Sequence, residues 1–125
     1  MNLRTSINTA RLGGPGQGAD GTAVFEFRFG GSDPTFAGHF PGGPILPGVF
    51  QLEMTRAAAE WTLDGALIVC EISKAKFQRP ILPEETVRLA LKLSEAGERV
   101  RARALFTVAG QPAGETVLSL CRNQS

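Results

Sequence analysis

A chain of 125 residues that is 42% hydrophobic holds one domain with one real core, and it leaves no room for a second. Thirteen basic against twelve acidic residues, a formal net charge of +1, give no electrostatic reason to make nucleic acid or an anionic membrane a partner. The opening MNLRTSINTARLGG has no apolar signal-type run, and no window approaches the roughly 18 apolar residues of a membrane span, so the expectation is a soluble, cytoplasmic protein.

In chain order, residues 2–12 read as a weak strand and GGPGQGADG (13–21) as a flexible turn. The lysine and hydroxyl that close a phosphate-binding loop are absent, and no helical pattern follows, so these glycines carry no phosphate reading. TAVFEFRF (22–29) alternates strictly, with Phe25, Phe27 and Phe29 on one face, and predicts a half-buried strand. Residues 49–63, introduced by Pro47 and Gly48 and rich in good helix formers, predict a helix. Its apolar residues fall on two sides, Phe50, Met54 and Trp61 against Leu52, Ala59 and Leu63, so the helix is expected to be largely enclosed.

From Ala66 the period falls to two through ALIVCEISKAKF, TVRLALKL, VRARALFTV and ETVLSL. With SEAGE and AGQPAGE as turns, this half is expected to form an antiparallel meander. The fold class is therefore α+β, a curved antiparallel sheet wrapped around one central helix. Cys70 and Cys121, far apart in strand-like runs, are expected to be buried free thiols, and one histidine without a close cysteine pair argues against zinc.

Between the first strand and the helix lies FAGHFPGGPILPGVFQLE (36–53), which holds the only histidine of the chain, His39, and ends on Glu53. Prolines 41, 44 and 47 fix φ and restrict the residues before them, giving a rigid loop of the kind a positioned base needs. Taken alone, Glu53, Arg56 and Glu60 at three- and four-residue spacing read as a solvated salt-bridge stripe, and a lone histidine in a proline-rich loop reads as a satisfied structural group.

GHFPGGPILPGV, with a carboxylate fourteen positions after the histidine (53 − 39 = 14), together with KAKFQRPILPEETVRL, resembles the 3-hydroxyacyl-[acyl-carrier-protein] dehydratases, which have the hotdog fold. The resemblance runs from about Phe36 to the end of the chain. It implies that His39 is the catalytic base, that Glu53 is the acid assisting loss of the hydroxyl, and that the Gly48 N–H, with Val49 beside it, holds the thioester carbonyl. It also implies a homodimer whose sites take histidine from one subunit and acid from the other; Arg56, one turn from Glu53, is then expected near that interface. The substrate rides on the phosphopantetheine of an acyl carrier protein, so no cofactor or metal is expected. The short form, without the family's basic-aromatic N-terminal segment and with TLDGA as its helix-to-strand connection, looks more like compact thioester dehydratases of specialised pathways such as aryl polyene synthesis.

The chemistry asks for these groups on its own terms. Dehydration needs a base for the C2 proton, an acid for the departing hydroxyl and a donor for the enolate-like oxygen; histidine suits the first. A carboxyl in an apolar tunnel is disfavoured as an anion and so can keep a proton. A helix start supplies unpaired N–H groups. Lys74, Lys76 and Arg79 form a candidate landing site for an acidic carrier, or equally a solvated strand edge. Phe77 is expected in the core or tunnel wall, and Arg99, Arg101 and Arg103 on a solvent face. A hotdog thioesterase and a non-catalytic acyl- or carrier-binding subunit are the competing functions. Fold alone does not separate the three; the site does.

Overall fold

A computed structural model of the chain describes residues 3–31 and 45–122. His39, and with it Phe40, Pro41, Gly42 and Pro44 of the same motif, lies outside the described residues. A short helix α1 (Leu3–Ala10) leads into strands β1 (Arg11–Gln17) and β2 (Ala23–Arg28); then come helix α2 (Gly48–Leu63) and strands β3 (Leu67–Phe77), β4 (Thr86–Ala96), β5 (Arg99–Val108) and β6 (Gln111–Arg122). The strands form one antiparallel sheet in the order β1-β2-β4-β5-β6-β3.

One face of that sheet packs on α2. The alternation of β2, carried one residue past its end, buries Phe25, Phe27 and Phe29, and that of β4 and β5 buries Val87, Leu89, Leu91, Val100, Ala102, Ala104 and Phe106. Phe50, Met54, Ala57, Ala58 and Ala59 meet them from α2. Small residues in its middle turns let the helix lie close to the sheet, so the expected enclosed helix and curved α+β architecture both hold. Arg99, Arg101 and Arg103 are exposed, as their alternation predicts.

Four expectations are corrected. Residues 3–10 are helical: Leu3, Ile7 and Ala10 recur at helical spacing, and this apolar face packs onto the core. Residues 13–17 of the glycine-rich stretch belong to strand β1 along the edge of β2, and only 19–21 make a turn, a 3-10 one; a Cβ on Gly14 would stand 2.7 Å from both the Phe25 ring and the Val24 carbonyl. Only a residue with no side chain permits that approach, and Gly14 also has φ +116°.

The strands after α2 do not form a simple meander. β4, β5 and β6 do, the last turn carrying positive φ at Ala109 and Gly110, but β3 pairs with β6 on the far edge. The reason is its exit: residues 78–85, with Pro80 and Pro83, form a long crossing connection and not a hairpin turn. Finally, Cys70 and Cys121 are neither buried nor free. The β3–β6 register, irregular between Val69 and Glu71, brings their Cα atoms to 6.1 Å and they are joined as a disulfide, with Cys70 exposed.

Candidate active site

The N-terminus of α2 is the first element of the site. Pro47 caps the helix with no side-chain hydrogen bond, so the Gly48 and Val49 amides belong to the orphan donors of a helix start. The entry is fixed by the Leu46 N–H donating to the Ile81 carbonyl at 2.8 Å. Beside it opens a cavity of about 290 Å³ lined by Gly48, Gln51, Phe77, Gln78 and Arg79, among others. Phe77 is half exposed and lies against Gly48, where a Cβ would stand 2.7 to 3.1 Å from its ring atoms. The glycine is thus required by the aromatic wall. Gly48→Ala is expected to push the ring outward at about 1 kcal/mol, read as a small drop in Tm with a larger loss of any activity that uses this cavity.

Glu53 faces elsewhere. Five residues along α2 it is turned about 140° from Gly48, and it lines a second cavity, of about 140 Å³, with Arg4, Asn8, Arg56, Glu60 and Trp61. The two cavities share no residue. Arg56, its side chain 6% exposed, donates from Nε to both Glu53 oxygens at 2.8 and 3.1 Å and from Nη2 to Oε2. Its Nη1 pairs with Glu60 at 2.6 Å and donates to the Leu67 carbonyl at 3.2 Å. Glu60 accepts the Leu67 N–H at 2.8 Å, and Arg4 stands 3.9 Å from Glu53. The Glu53 hydrogen bond, against the opposing effect of burial and with help from Glu60, holds the Arg56 guanidinium above its ordinary range.

The expected apolar surround of Glu53 is therefore corrected, since two arginines face its carboxylate. The alternative of a solvated stripe is right about the pairs and wrong about solvation, because α1 covers the cluster from one side and Arg56 is buried.

The connection 78–85 organises the approach. Glu84 accepts the Gly31 N–H at 2.7 Å and pairs with Arg28 at 2.7 Å, while its own N–H reaches the Phe29 carbonyl at 2.8 Å. Together with the Leu46–Ile81 bond, this ties both ends of the segment that carries His39 to one connection. Arg79 pairs with Glu85 at 2.8 Å, and Glu85 also accepts the Leu82 N–H. Burial alone would push the Glu85 carboxyl up, but that N–H and Arg79 together bring it below its ordinary value. Lys74 is engaged by Glu115 at 2.9 Å, which Arg103 also contacts. Of the three basic residues, Lys76 alone has no ion pair among the described residues.

The chain therefore joins Gly48, Phe77 and Arg79 at one cavity and holds Glu53 at another. Reading the residues alone missed Gln51, buried at the first cavity, although a lone amide within GVFQLEM is a visible signal. It also undervalued Arg56, flanked by carboxylates at both helical spacings.

A family model described as ApeI-like, ApeI dehydratase, matches residues 16–115. The chain is 38% identical over 104 residues to a 3-hydroxyacyl-[acyl-carrier-protein] dehydratase FabZ of Chloroflexus aggregans, a match taking in 77% of this chain and 72% of the relative. It is 37% identical over 100 residues to the FabZ of Haemophilus influenzae, taking in 73% and 68%. In three dimensions it is similar to a chain of the dehydratase heterocomplex ApeI:P from Xenorhabdus doucetiae, with TM-score 0.74, 28% identity, and coverage of 90% and 96%. A hypothetical thioesterase from Streptococcus pneumoniae shares the fold at TM-score 0.71, but at 8% identity the likeness, over 98% and 95% of the chains, goes no further than the fold. The hotdog architecture is common ground for thioesterases and dehydratases, whereas a match over most of the chain is not, and by it this protein belongs to the ApeI-like dehydratases.

Proposed function

We propose that the chain dehydrates a (3R)-hydroxyacyl thioester on acyl carrier protein to the trans-2-enoyl thioester through a site shared between two copies. That it is an acyl-carrier dehydratase of fatty acid or aryl polyene biosynthesis follows from its family and relatives. The observation that carries the shared site is the separation of Gly48 and Glu53 into two cavities on different faces of α2. In this reading His39 removes the C2 proton, the Gly48 N–H receives the charge that builds on the thioester oxygen, and Glu53 of a second copy gives its proton to the C3 hydroxyl, so that the C3–O bond breaks with water as the leaving group. Arg56 holds the Glu53 carboxyl group in one orientation. The reaction is carried by side chains and backbone, and no cofactor is assigned to it. The cytoplasm is the proposed compartment, in line with the FabZ relatives, and there the Cys70–Cys121 pair, exposed at Cys70, would stand reduced.

The second copy is proposed to join along β3. This edge strand is exposed from Ile68 onward and presents Ile68, Val69, Ile72 and Phe77, each 41% to 51% exposed. A long apolar edge with unpaired backbone groups calls for a partner. The pure chain is expected to sediment as a dimer, and Ile72→Lys to shift it toward monomer. A wild-type monomer would favour a different partner chain, as in the ApeI:P heterocomplex. Lys76 and Arg79, beside the cavity mouth, are proposed to meet the acidic carrier.

The test of activity is incubation with 3-hydroxybutyryl and 3-hydroxydecanoyl carrier thioesters, following enoyl absorbance and free thiol together. Enoyl product without thiol is expected. Thiol release without enoyl product would make the chain a thioesterase, and silence a binding subunit.

A further inference from the structure

We propose that the Gln51 carboxamide is a second hydrogen-bond donor to the thioester carbonyl oxygen, acting beside the Gly48 N–H; the inference rests on the dehydratase reading above. Gln51 is 3% exposed, and its Nε2 is shut from solvent without a hydrogen-bond partner among the described residues. A buried amide donor left unpaired is destabilising, and such a cost is expected to persist where function needs the group. The other buried polar side chains of the same helix are satisfied: Thr55 bonds the Gln51 carbonyl and Thr116, and Arg56 has its carboxylates.

Position selects the acceptor. Gln51 stands three residues after Gly48, about 60° around the helix, and both line the same cavity. Helical side chains lean toward the N-terminus, so the carboxamide lies over the turn that carries the orphan amides. Across from them Phe77 and Gly114 are partners in the β3–β6 register: Phe77 packs on Gly48, and a Cβ on Gly114 would stand 2.5 Å from Gln51 Nε2. Two glycines thus clear the space in which this amide and the helix start meet. Rotation about the broad terminal torsion turns the N–H₂ from the Gly114 wall to the cavity. There it would face the oxygen on which negative charge develops as the C2 proton leaves.

The test is Gln51→Leu, which keeps the volume and removes the donor. The expected result is a kcat lower by about 10²-fold with KM little changed, and a Tm equal to or above wild type because an unpaired buried amide is gone. A loss of activity that tracks a falling Tm would make Gln51 structural and overturn the inference. So would an unchanged kcat; if Glu53→Gln is inactive in the same assay, the dehydratase reading stands while this inference fails. A readout independent of turnover is the side-chain amide NMR signal of Gln51, assigned by its loss in Gln51→Leu, during titration with crotonyl-pantetheine. A shift supports the contact, and an unmoved signal at saturation overturns it.

Discussion

Glu53→Gln is expected to reduce enoyl formation by about 10² to 10⁴-fold while the protein stays folded. The substitution keeps the shape of the side chain and an oxygen that accepts from Arg56, and it removes the carboxyl that assists the departing hydroxyl. Arg56 retains Glu60 at 2.6 Å and the Leu67 carbonyl at 3.2 Å, so the cluster loses one of its two carboxylates and keeps its shape. The stability cost should be about 1 kcal/mol, or roughly 4 °C in Tm. If Glu53 served only the ion-pair cluster, Tm would fall by the same few degrees and turnover per folded molecule would be unchanged. Stopped assays on protein of verified Tm separate the two.

Arg56→Met should do the reverse, striking stability first. It leaves Glu53 and Glu60, 16% and 23% exposed, without the guanidinium that sits between them, and it strands the Leu67 carbonyl. Removing one partner of a buried ionic cluster costs about 3 kcal/mol, so Tm should fall by about 10 °C. Arg56→Lys keeps the charge without the planar fork that reaches both carboxylates and a carbonyl, so it should recover only part of that loss. Turnover should drop in both, because Glu53 is then free to rotate away from one productive position. A Tm within 2 °C of wild type for Arg56→Met would mean an exposed pair of the ordinary weak kind.

Much of the fold was legible because burial on one face imposes a period. Phe25, Phe27 and Phe29 could only alternate toward a core, and RAAAEW could only be helical. Strand order was not legible in the same way: β3 has the alternation of a meander strand, and nothing in ALIVCEISKAKF tells which neighbour it will meet. The two prolines of the 78–85 connection were the signal that it is not a hairpin. The disulfide followed the same failure, since Cys70 and Cys121 become neighbours only once β3 lies against β6. The helix at residues 3–10 was written in Leu3, Ile7 and Ala10, but eight residues beside a glycine run give a weak period.

For the site, the helix formers and Pro47 were enough to place Gly48 at the start of α2 and Glu53 within it, while the roles of both rest on the motif. Glu53, Arg56 and Glu60 satisfied the pattern of a surface stripe, and what the pattern omits is the cover that α1 lays over them. Gln51 went unread because a single amide in a helix is ordinary unless its neighbours fail to satisfy it, which is a property of the packed structure.

If two copies each contribute part of one dehydratase site, defects in the two parts complement one another in a mixed dimer. His39→Ala and Glu53→Gln chains carrying different tags are co-expressed, mixed dimers are purified through both tags, and enoyl absorbance is followed on the 3-hydroxyacyl carrier thioester. Each variant alone should be inactive. The mixed dimer has one site with both groups intact, so it should show about half of the wild-type rate; a mixed dimer as inactive as its parents would contradict the shared site.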